Sequence, residues 1–140
     1  MASTRKILLA VDLAAGVGAA LEWAEALAVG RDASLIIAAV EPGQPTSEFG
    51  SVYAGLSDPG IGELALKLAH LVPSDPMIAV ERRVLRGEPV AEIVKLATAE
   101  SVDAVVVGAS HSAGLKKVLF GGTAEGVLKG VRCPVLICRT

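Results

Sequence analysis

Five short apolar segments alternate along the chain with longer segments whose apolar residues recur at helical spacing. The short segments are mostly continuous in apolar character, which is typical of strands buried on both faces of a parallel sheet. They cover residues 7–11, 34–40, 77–85, 104–107 and 135–138. The third segment contains Glu81, Arg82 and Arg83, and this polarity predicts a strand at the edge of the sheet.

Helices are predicted in four of the intervening segments. They cover residues 17–30 with Gly30 as the stop, residues 60–72 with Pro73 and Pro76 at their end, the segment after Gly87-Glu88-Pro89, and a segment that starts near Thr123. Strands that alternate with helices imply right-handed crossovers and a parallel sheet. The sequence therefore predicts an α/β three-layer sandwich, with residues 1–140 forming a single domain.

The composition narrows the class of protein. Hydrophobic residues make up 52% of the 140 residues and aromatic residues only 3%, so the predicted core is aliphatic. The net charge is −2 and basic residues adjoin only in pairs, which argues against a nucleic-acid partner. The apolar run Ile7–Val11 is too short to span a membrane, so no membrane partner is predicted. Cys133 and Cys138 form no Cys-x-x-Cys motif, and we expect reduced, buried thiols in a cytoplasmic protein.

Candidate ligand-binding residues follow the predicted strands at their carboxyl ends. Asp12, Val40 and Gly108 occupy such positions, and open α/β sheets bind ligands at this edge. A second glycine cluster, Gly121-Gly122-Thr123, opens the fourth helix. Glycines let backbone N–H groups approach a ligand closely, and a helix N-terminus carries partial positive charge. This combination suits a phosphate group.

The sequence lacks the motifs of several enzyme classes. It contains no P-loop, no G-x-G-x-x-G after the first strand and no G-x-S-x-G nucleophile elbow. His70, His111 and the two cysteines do not form a zinc-ligand pattern. A flavin-dependent electron carrier is disfavoured because aromatic residues that would stack on a flavin are almost absent. We expect a binding protein rather than an enzyme.

Three segments, taken in order, resemble the universal stress protein family. They are Ile7–Asp12, Gly87-Glu88-Pro89 and Cys133-Pro134-Val135-Leu136-Ile137. The resemblance implies an adenine nucleotide alpha hydrolase-like sandwich with sheet order 3-2-1-4-5. It also implies a homodimer associated with survival under stress, and at most slow ATP hydrolysis. ATP-binding members of the family carry the motif G-x2-G-x9-G-[S/T] after the fourth strand.

This chain keeps part of that motif and departs from the rest. Gly108 and Gly121 fall on the first and third glycines with the overall spacing intact. His111 stands at the second glycine, and Gly122 stands at the Ser/Thr position with Thr123 one residue later. By the family's pattern, Gly108, Gly121 and residues 122–123 would contact phosphates.

By the same pattern, Asp12 would contact the ribose and Val40 the adenine. Each role has a structural alternative. Asp12 could instead bond backbone N–H groups of the loop that follows it. Thr123 could cap its own helix rather than face an anion. His111 could be a surface loop residue or could border the nucleotide, where its donor would favour the anion.

Two functional hypotheses follow. In the first, a dimer binds ATP, alone or with Mg²⁺, and the nucleotide changes what the dimer contacts. In the second, a nucleotide-free stress protein acts only through protein–protein contacts. Both use a homodimer that pairs through the apolar strand Val135–Cys138. The long segment 41–59 is a candidate lid, a partner contact or a plain connection.

Overall fold

The five apolar segments form one parallel sheet in the computed structural model, which describes residues 5–12, 17, 19–41, 59–109 and 122–139. The strands are β1 (Lys6–Val11), β2 (Ser34–Glu41), β3 (Val80–Arg86), β4 (Ala104–Ala109) and β5 (Val135–Arg139). Their order is β3-β2-β1-β4-β5, which confirms the order that the family resemblance implies. It also confirms that the polar third strand lies at an edge.

The third strand begins later than the sequence predicts. It starts at Val80 rather than Met77, because Asp75 turns the chain just before it. The Met77 N–H donates to Asp75 Oδ1 at 2.9 Å, and the Ile78 N–H donates to the Asp75 carbonyl at 3.3 Å. An aspartate that captures the amide two residues ahead favours a turn over an extended strand.

The described helices are α1 (Ala19–Arg31), α2 (Pro59–Ala69), α3 (Pro89–Glu100) and α4 (Gly122–Gly130). The predicted stop of α1 at Gly30 is wrong by one residue, since Asp32 takes the left-handed conformation with φ of 53°. The predicted end of α2 near residue 72 is also wrong, because the helix ends at Ala69 and Arg82 from β3 binds one carbonyl in its last turn and one beyond it. Its guanidinium donates to Leu68 O at 2.9 Å and to Leu71 O at 2.8 Å.

The core lies in two layers, one on each face of the sheet. On one face, Ile7, Leu9 and Ile37 are buried beneath α1 and α2. On the other face, Leu8 and Ile36 are buried beneath α3 and α4. Adjacent residues of β1 thus face opposite layers, as the continuous apolar run predicts.

Helices α3 and α4 meet through glycine rather than through large side chains. A Cβ atom at Gly126 would lie 2.7 Å from Val90 Cγ2, and one at Gly130 would lie 2.6 Å from Val94 Cγ2. Both pairs are four residues apart on their helices, so the two valines of α3 pack on the two glycines of α4. This contact fixes where α4 lies on the sheet.

We expect Gly126→Ala to leave the protein about 1–3 kcal/mol less stable than Gly62→Ala, because the new methyl group overpacks against Val90. Gly62 in α2 is the matched control, since a Cβ there meets nothing within 4 Å and alanine favours the helix by about 1 kcal/mol. Urea unfolding of both variants measures the difference. Equal stabilities of the Gly126→Ala and Gly62→Ala proteins would show that the helices separate without cost. Adding Val90→Ala to Gly126→Ala should recover part of the lost stability.

Candidate functional site

The register of the sheet brings three predicted site residues together. Val11 pairs with Ala39, so Asp12 follows β1 beside Val40 on β2. On the other side Ala10 pairs with Val107, so Gly108 on β4 lies level with Val11. Adjacent strands lie about 4.8 Å apart, so Val40 and Gly108 flank β1 across about 10 Å. That span is roughly the length of a nucleoside.

These residues lie where the strand order reverses. From β1 the chain continues to β2 on one side and later places β4 on the other. A parallel sheet opens a crevice at the carboxyl ends of two such strands. Asp12 is exposed at this edge, while Val40 and Gly108 are partly buried. The arrangement offers an exposed acidic residue at the strand ends and a backbone without a side chain nearby.

The start of α4 contributes the second part of the predicted site. Gly122 is the first residue of this helix and Thr123 is the second, with an exposed side chain. Thr123 therefore lies inside the first turn rather than in the capping position before it. The first N–H groups of a helix lack intrahelical acceptors, so this end can donate to an anion. His111, Gly121 and the segment 42–58 lie outside the described residues.

A turn beside Val40 supports the same edge, although its role was not predicted from the sequence. The Gly87 N–H donates to the Glu41 carbonyl at 3.0 Å, which ties this turn to the end of β2. Gly87 has φ of 147°, and a Cβ atom there would lie 2.9 Å from Glu92 Cγ. Glycine is thus required by the backbone conformation, and a larger residue would also have to displace the Glu92 side chain.

Glu88 then caps α3 with its side chain. Its Oε2 accepts from the Ala91 N–H at 2.7 Å, and its Oε1 accepts from the Val90 N–H at 3.2 Å. Pro89 occupies the first turn, where a missing N–H costs nothing. This cap was not predicted, and the signal that would have revealed it is an acid directly before a proline at a helix start. The Gly87-Glu88-Pro89 segment therefore has a structural role next to the candidate site.

Cys138 on β5 lies beside Gly108 of β4. It pairs with Gly108 in register and is only 7% exposed. Burial raises the pKa of the Cys138 thiol. The pKa of the Cys133 thiol is also raised, by burial and by the nearby Asp103 charge, although a backbone hydrogen bond at Cys133 acts in the opposite direction. Both thiols therefore stay protonated at neutral pH, and both are free of disulfides. Cysteines in this state are poor metal ligands and poor nucleophiles.

Within residues 5–12, 17, 19–41, 59–109 and 122–139, no group of three or more His, Cys, Asp or Glu side chains could hold a metal ion. In the same ranges, no helix is long and apolar enough to cross a bilayer.

Comparison with known proteins defines the class to which this fold and site belong. The model of the universal stress protein family matches residues 3–139, so the chain belongs to that family. Universal stress protein MJ0531 of Methanocaldococcus jannaschii is 33% identical over 78 residues, which cover 56% of this chain and 46% of that protein. The chain thus spans about half the length of this curated relative.

Solved structures show the same fold. Universal stress protein UspA from Lactobacillus plantarum superposes with a TM-score of 0.76 at 21% identity. The superposition covers 99% of this chain and 100% of that one. A universal stress protein in complex with cAMP superposes with a TM-score of 0.59 at 26% identity, over 96% of this chain and 95% of that one.

We expect Glu88→Ala to destabilise the protein by about 1 kcal/mol, because it removes the acceptor for two N–H groups at the start of α3. Glu88→Gln should lose less, since its amide oxygen still accepts one of these bonds. Glu63→Ala is the control, because it removes only an exposed pair with Lys67, worth about 0.3–0.5 kcal/mol. Urea unfolding distinguishes the three. A Glu88→Ala protein as stable as Glu63→Ala would argue against the cap.

Proposed function

We propose that the carboxyl edge of the sheet binds an adenine nucleotide, with ATP as the ligand, alone or with Mg²⁺. One observation carries this proposal. The strand order reverses between β1 and β4, and the residues there are Asp12, with an exposed carboxylate, and Gly108, with no side chain. Such a crevice is the ligand-binding position of open parallel sheets. The start of α4 adds N–H donors for phosphate on the same edge.

Each part of the nucleotide has a proposed partner. Val40 contacts the adenine through a partly buried apolar side chain. The Asp12 carboxylate accepts hydrogen bonds from the ribose hydroxyls. The phosphates are held by the glycine motif and the helix start, namely Gly108, His111, Gly121, Gly122 and Thr123.

The relatives support an adenine nucleotide more than another ligand. One structurally similar family member, at 26% identity, was solved in complex with cAMP. That ligand shares its adenine and ribose with ATP, and it carries one phosphate. The support therefore applies to the base and the sugar, for which Val40 and Asp12 are the proposed partners. The number of phosphates depends on the departures at His111 and Gly122.

The proposed activity is nucleotide binding rather than catalysis. At most, the protein hydrolyses ATP slowly. A bound nucleotide changes the state of a protein only when it favours one state over another. We propose that the protein is a dimeric stress-response module and that its two states differ in what the dimer contacts. The alternative is a nucleotide-free stress protein that acts through its partners, which the His111 and Gly122 departures favour.

We propose that this module acts in the cytoplasm. The support is its pair of free cysteines, Cys133 and Cys138, which are typical of a reducing compartment.

We expect calorimetric titration with Mg-ATP to show micromolar binding, and Asp12→Asn to weaken it about tenfold by removing a charge-assisted hydrogen bond to the ribose. Asp32→Asn is the matched control, because Asp32 is exposed at the opposite edge of the sheet and asparagine tolerates its left-handed conformation. Before the titration, a separate sample of the purified protein should be denatured and checked for released nucleotide.

Two results would contradict the proposal. Absence of both heat and released nucleotide in the wild type would leave the nucleotide-free hypothesis. Equal weakening by Asp12→Asn and Asp32→Asn would move the ligand away from the carboxyl edge. Gly121→Val should abolish binding, whereas the double variant His111→Gly with Gly122→Ser restores the family motif and should strengthen it.

We further propose that the protein is a homodimer through β5. This strand is the last in the sheet, so one side of its backbone has no strand beside it within the described chain. Its residues Val135, Leu136 and Ile137 are only partly buried. An unpaired apolar edge invites another strand, and two copies that pair antiparallel satisfy each other.

We expect Leu136→Lys to yield a monomer, because it places a charge in the middle of the paired edge. Light scattering coupled to size exclusion measures the mass. Leu66→Lys is the control, since Leu66 is 68% exposed on α2, away from β5. A Leu136→Lys protein that keeps the dimer mass would place the interface elsewhere.

A further inference from the structure

A cavity lies at the amino edge of the sheet, where the strands begin, opposite the edge of the proposed nucleotide site. Helix α3 ends at Glu100 just before β4 begins, and α4 ends at Gly130 just before β5 begins. Because β4 and β5 are parallel, both helix ends lie at the same edge. The cavity between them has a volume of about 560 Å³, within the range of about 300–1,000 Å³ that is usual for small-molecule sites.

The unequal reach of the two helices creates this cavity. They are in close contact at Val94 and Gly130, where a Cβ atom on the glycine would lie 2.6 Å from Val94 Cγ2. Beyond Val94, α3 continues for about 9 Å to Glu100, whereas α4 ends. The last turns of α3 therefore extend past α4, and residues 131–133 of the connection to β5 form the other wall.

The lining combines an apolar surface with hydroxyl groups. Four of its apolar residues belong to the core beneath α3 and α4 or pack against it, namely Ala97, Val102, Val131 and Cys133. Thr98 and Ser101 also line the cavity and are exposed. Their hydroxyl groups can both donate and accept hydrogen bonds. A ligand with an apolar part and a polar part would find both kinds of contact here.

Both helix ends contribute negative potential to the cavity. The last carbonyl groups of a helix lack intrahelical donors, and the aligned peptide dipoles place about half a negative charge at this end. At α3 the Ser101 N–H donates to Ala97 O and Thr98 O, so part of that end is already capped. At α4 the last residue, Gly130, is itself part of the lining. A cationic group is therefore favoured between the two ends.

Asp103 adds the charge of a carboxylate close to this cavity. Its charge and, to a larger extent, burial raise the pKa of the Cys133 thiol, which shows that the two side chains are near each other. Asp103 Oδ2 is buried and has no hydrogen-bond partner within the described residues. The adjacent Lys6, whose carbonyl accepts from the Asp103 N–H, has its ammonium 3.6 Å from Glu100 instead. A buried carboxylate oxygen without a partner is costly, and a cation beside it would reduce that cost.

Arg132 supplies the opposite charge. It follows α4, it is exposed, and it lines the cavity. A guanidinium repels a simple cation, but it can hold a carboxylate with two parallel hydrogen bonds. The cavity thus favours an ammonium group at the helix ends and a carboxylate at Arg132.

We propose that this cavity binds a small free amino acid with an apolar side chain. The ammonium group lies between the helix ends on the side of Asp103, and the carboxylate pairs with Arg132. The apolar side chain packs on Val102 and Val131. Such a ligand differs in chemistry from a nucleotide and binds at the other edge of the sheet, so this inference does not depend on the proposed nucleotide site.

L-leucine and two analogues test the proposal in a titration followed by the amide signals in NMR spectra. Isopentylamine is leucine without its carboxylate, and isocaproate is leucine without its ammonium group. We expect leucine to shift the amide signals of Ser101, Gly130 and Cys133 until they saturate. Each analogue should bind about tenfold more weakly or worse, because it loses one charge-assisted contact.

Matched variants assign the two charges. Arg132→Gln should abolish the preference for leucine over isopentylamine, and Asp103→Asn should abolish the preference for leucine over isocaproate. Lys129→Gln and Asp32→Asn are the controls, because each removes a charge of the same sign from an exposed residue outside the lining. Both controls should keep both preferences. The same spectra show whether each variant is folded.

Three results would overturn this inference. They are the absence of saturable shifts at the cavity, equal binding of leucine and both analogues, and shifts at Val40 and Gly108 in place of the cavity residues. None of these results bears on the proposed nucleotide site, because that site is tested separately by the titration with Mg-ATP and the Asp12→Asn variant. A protein that binds no ATP would likewise leave the amino-acid site to be judged by its own titration.

Discussion

The structure depends on the parallel pairing of β1 with a strand on each side. β1 lies at the centre of the sheet, and its residues Leu8 and Leu9 are completely buried on opposite faces. A slip of one residue would exchange the two faces and bury neither cluster correctly, so the register is strongly specified. The same register sets Asp12 beside Val40 and level with the end of β4. The packing of the core therefore also positions the candidate site.

A second chain of contacts connects the two ends of that site. The turn at Gly87 is bonded to the end of β2, and Glu88 caps α3 at the N–H of Val90. The side chain of Val90 in turn packs on Gly126 of α4. The strand beside the proposed adenine position is thus connected, through one capped turn and one helix contact, to the helix whose start would face phosphate. The Gly87-Glu88-Pro89 segment therefore helps to set the geometry of this edge.

Much of this could be predicted from the sequence, because buried parallel strands and amphipathic helices have distinct periodicities. The order of the strands came from the family resemblance, since periodicity does not determine which strands are adjacent. The start of β3 and the end of α2 could not be predicted. Both depend on single side chains, Asp75 and Arg82, that bond backbone groups which a pattern does not show. The glycine contacts of α4 were missed for a similar reason, because they require knowing that α3 is its neighbour.

The glycines of α4 have a consequence for how this part of the molecule folds. The helix has nine residues, fewer than the roughly 12–15 that an isolated helix needs to be even marginally stable. Gly126 in its middle lowers its intrinsic stability by about 1 kcal/mol relative to alanine. α4 is therefore helical because it is docked, and its hydrogen bonds open whenever the contact with α3 is lost. An anion bound at its first turn would favour the docked helix over the open segment. At this end of the sheet, binding of such an anion and completion of the fold would be coupled equilibria.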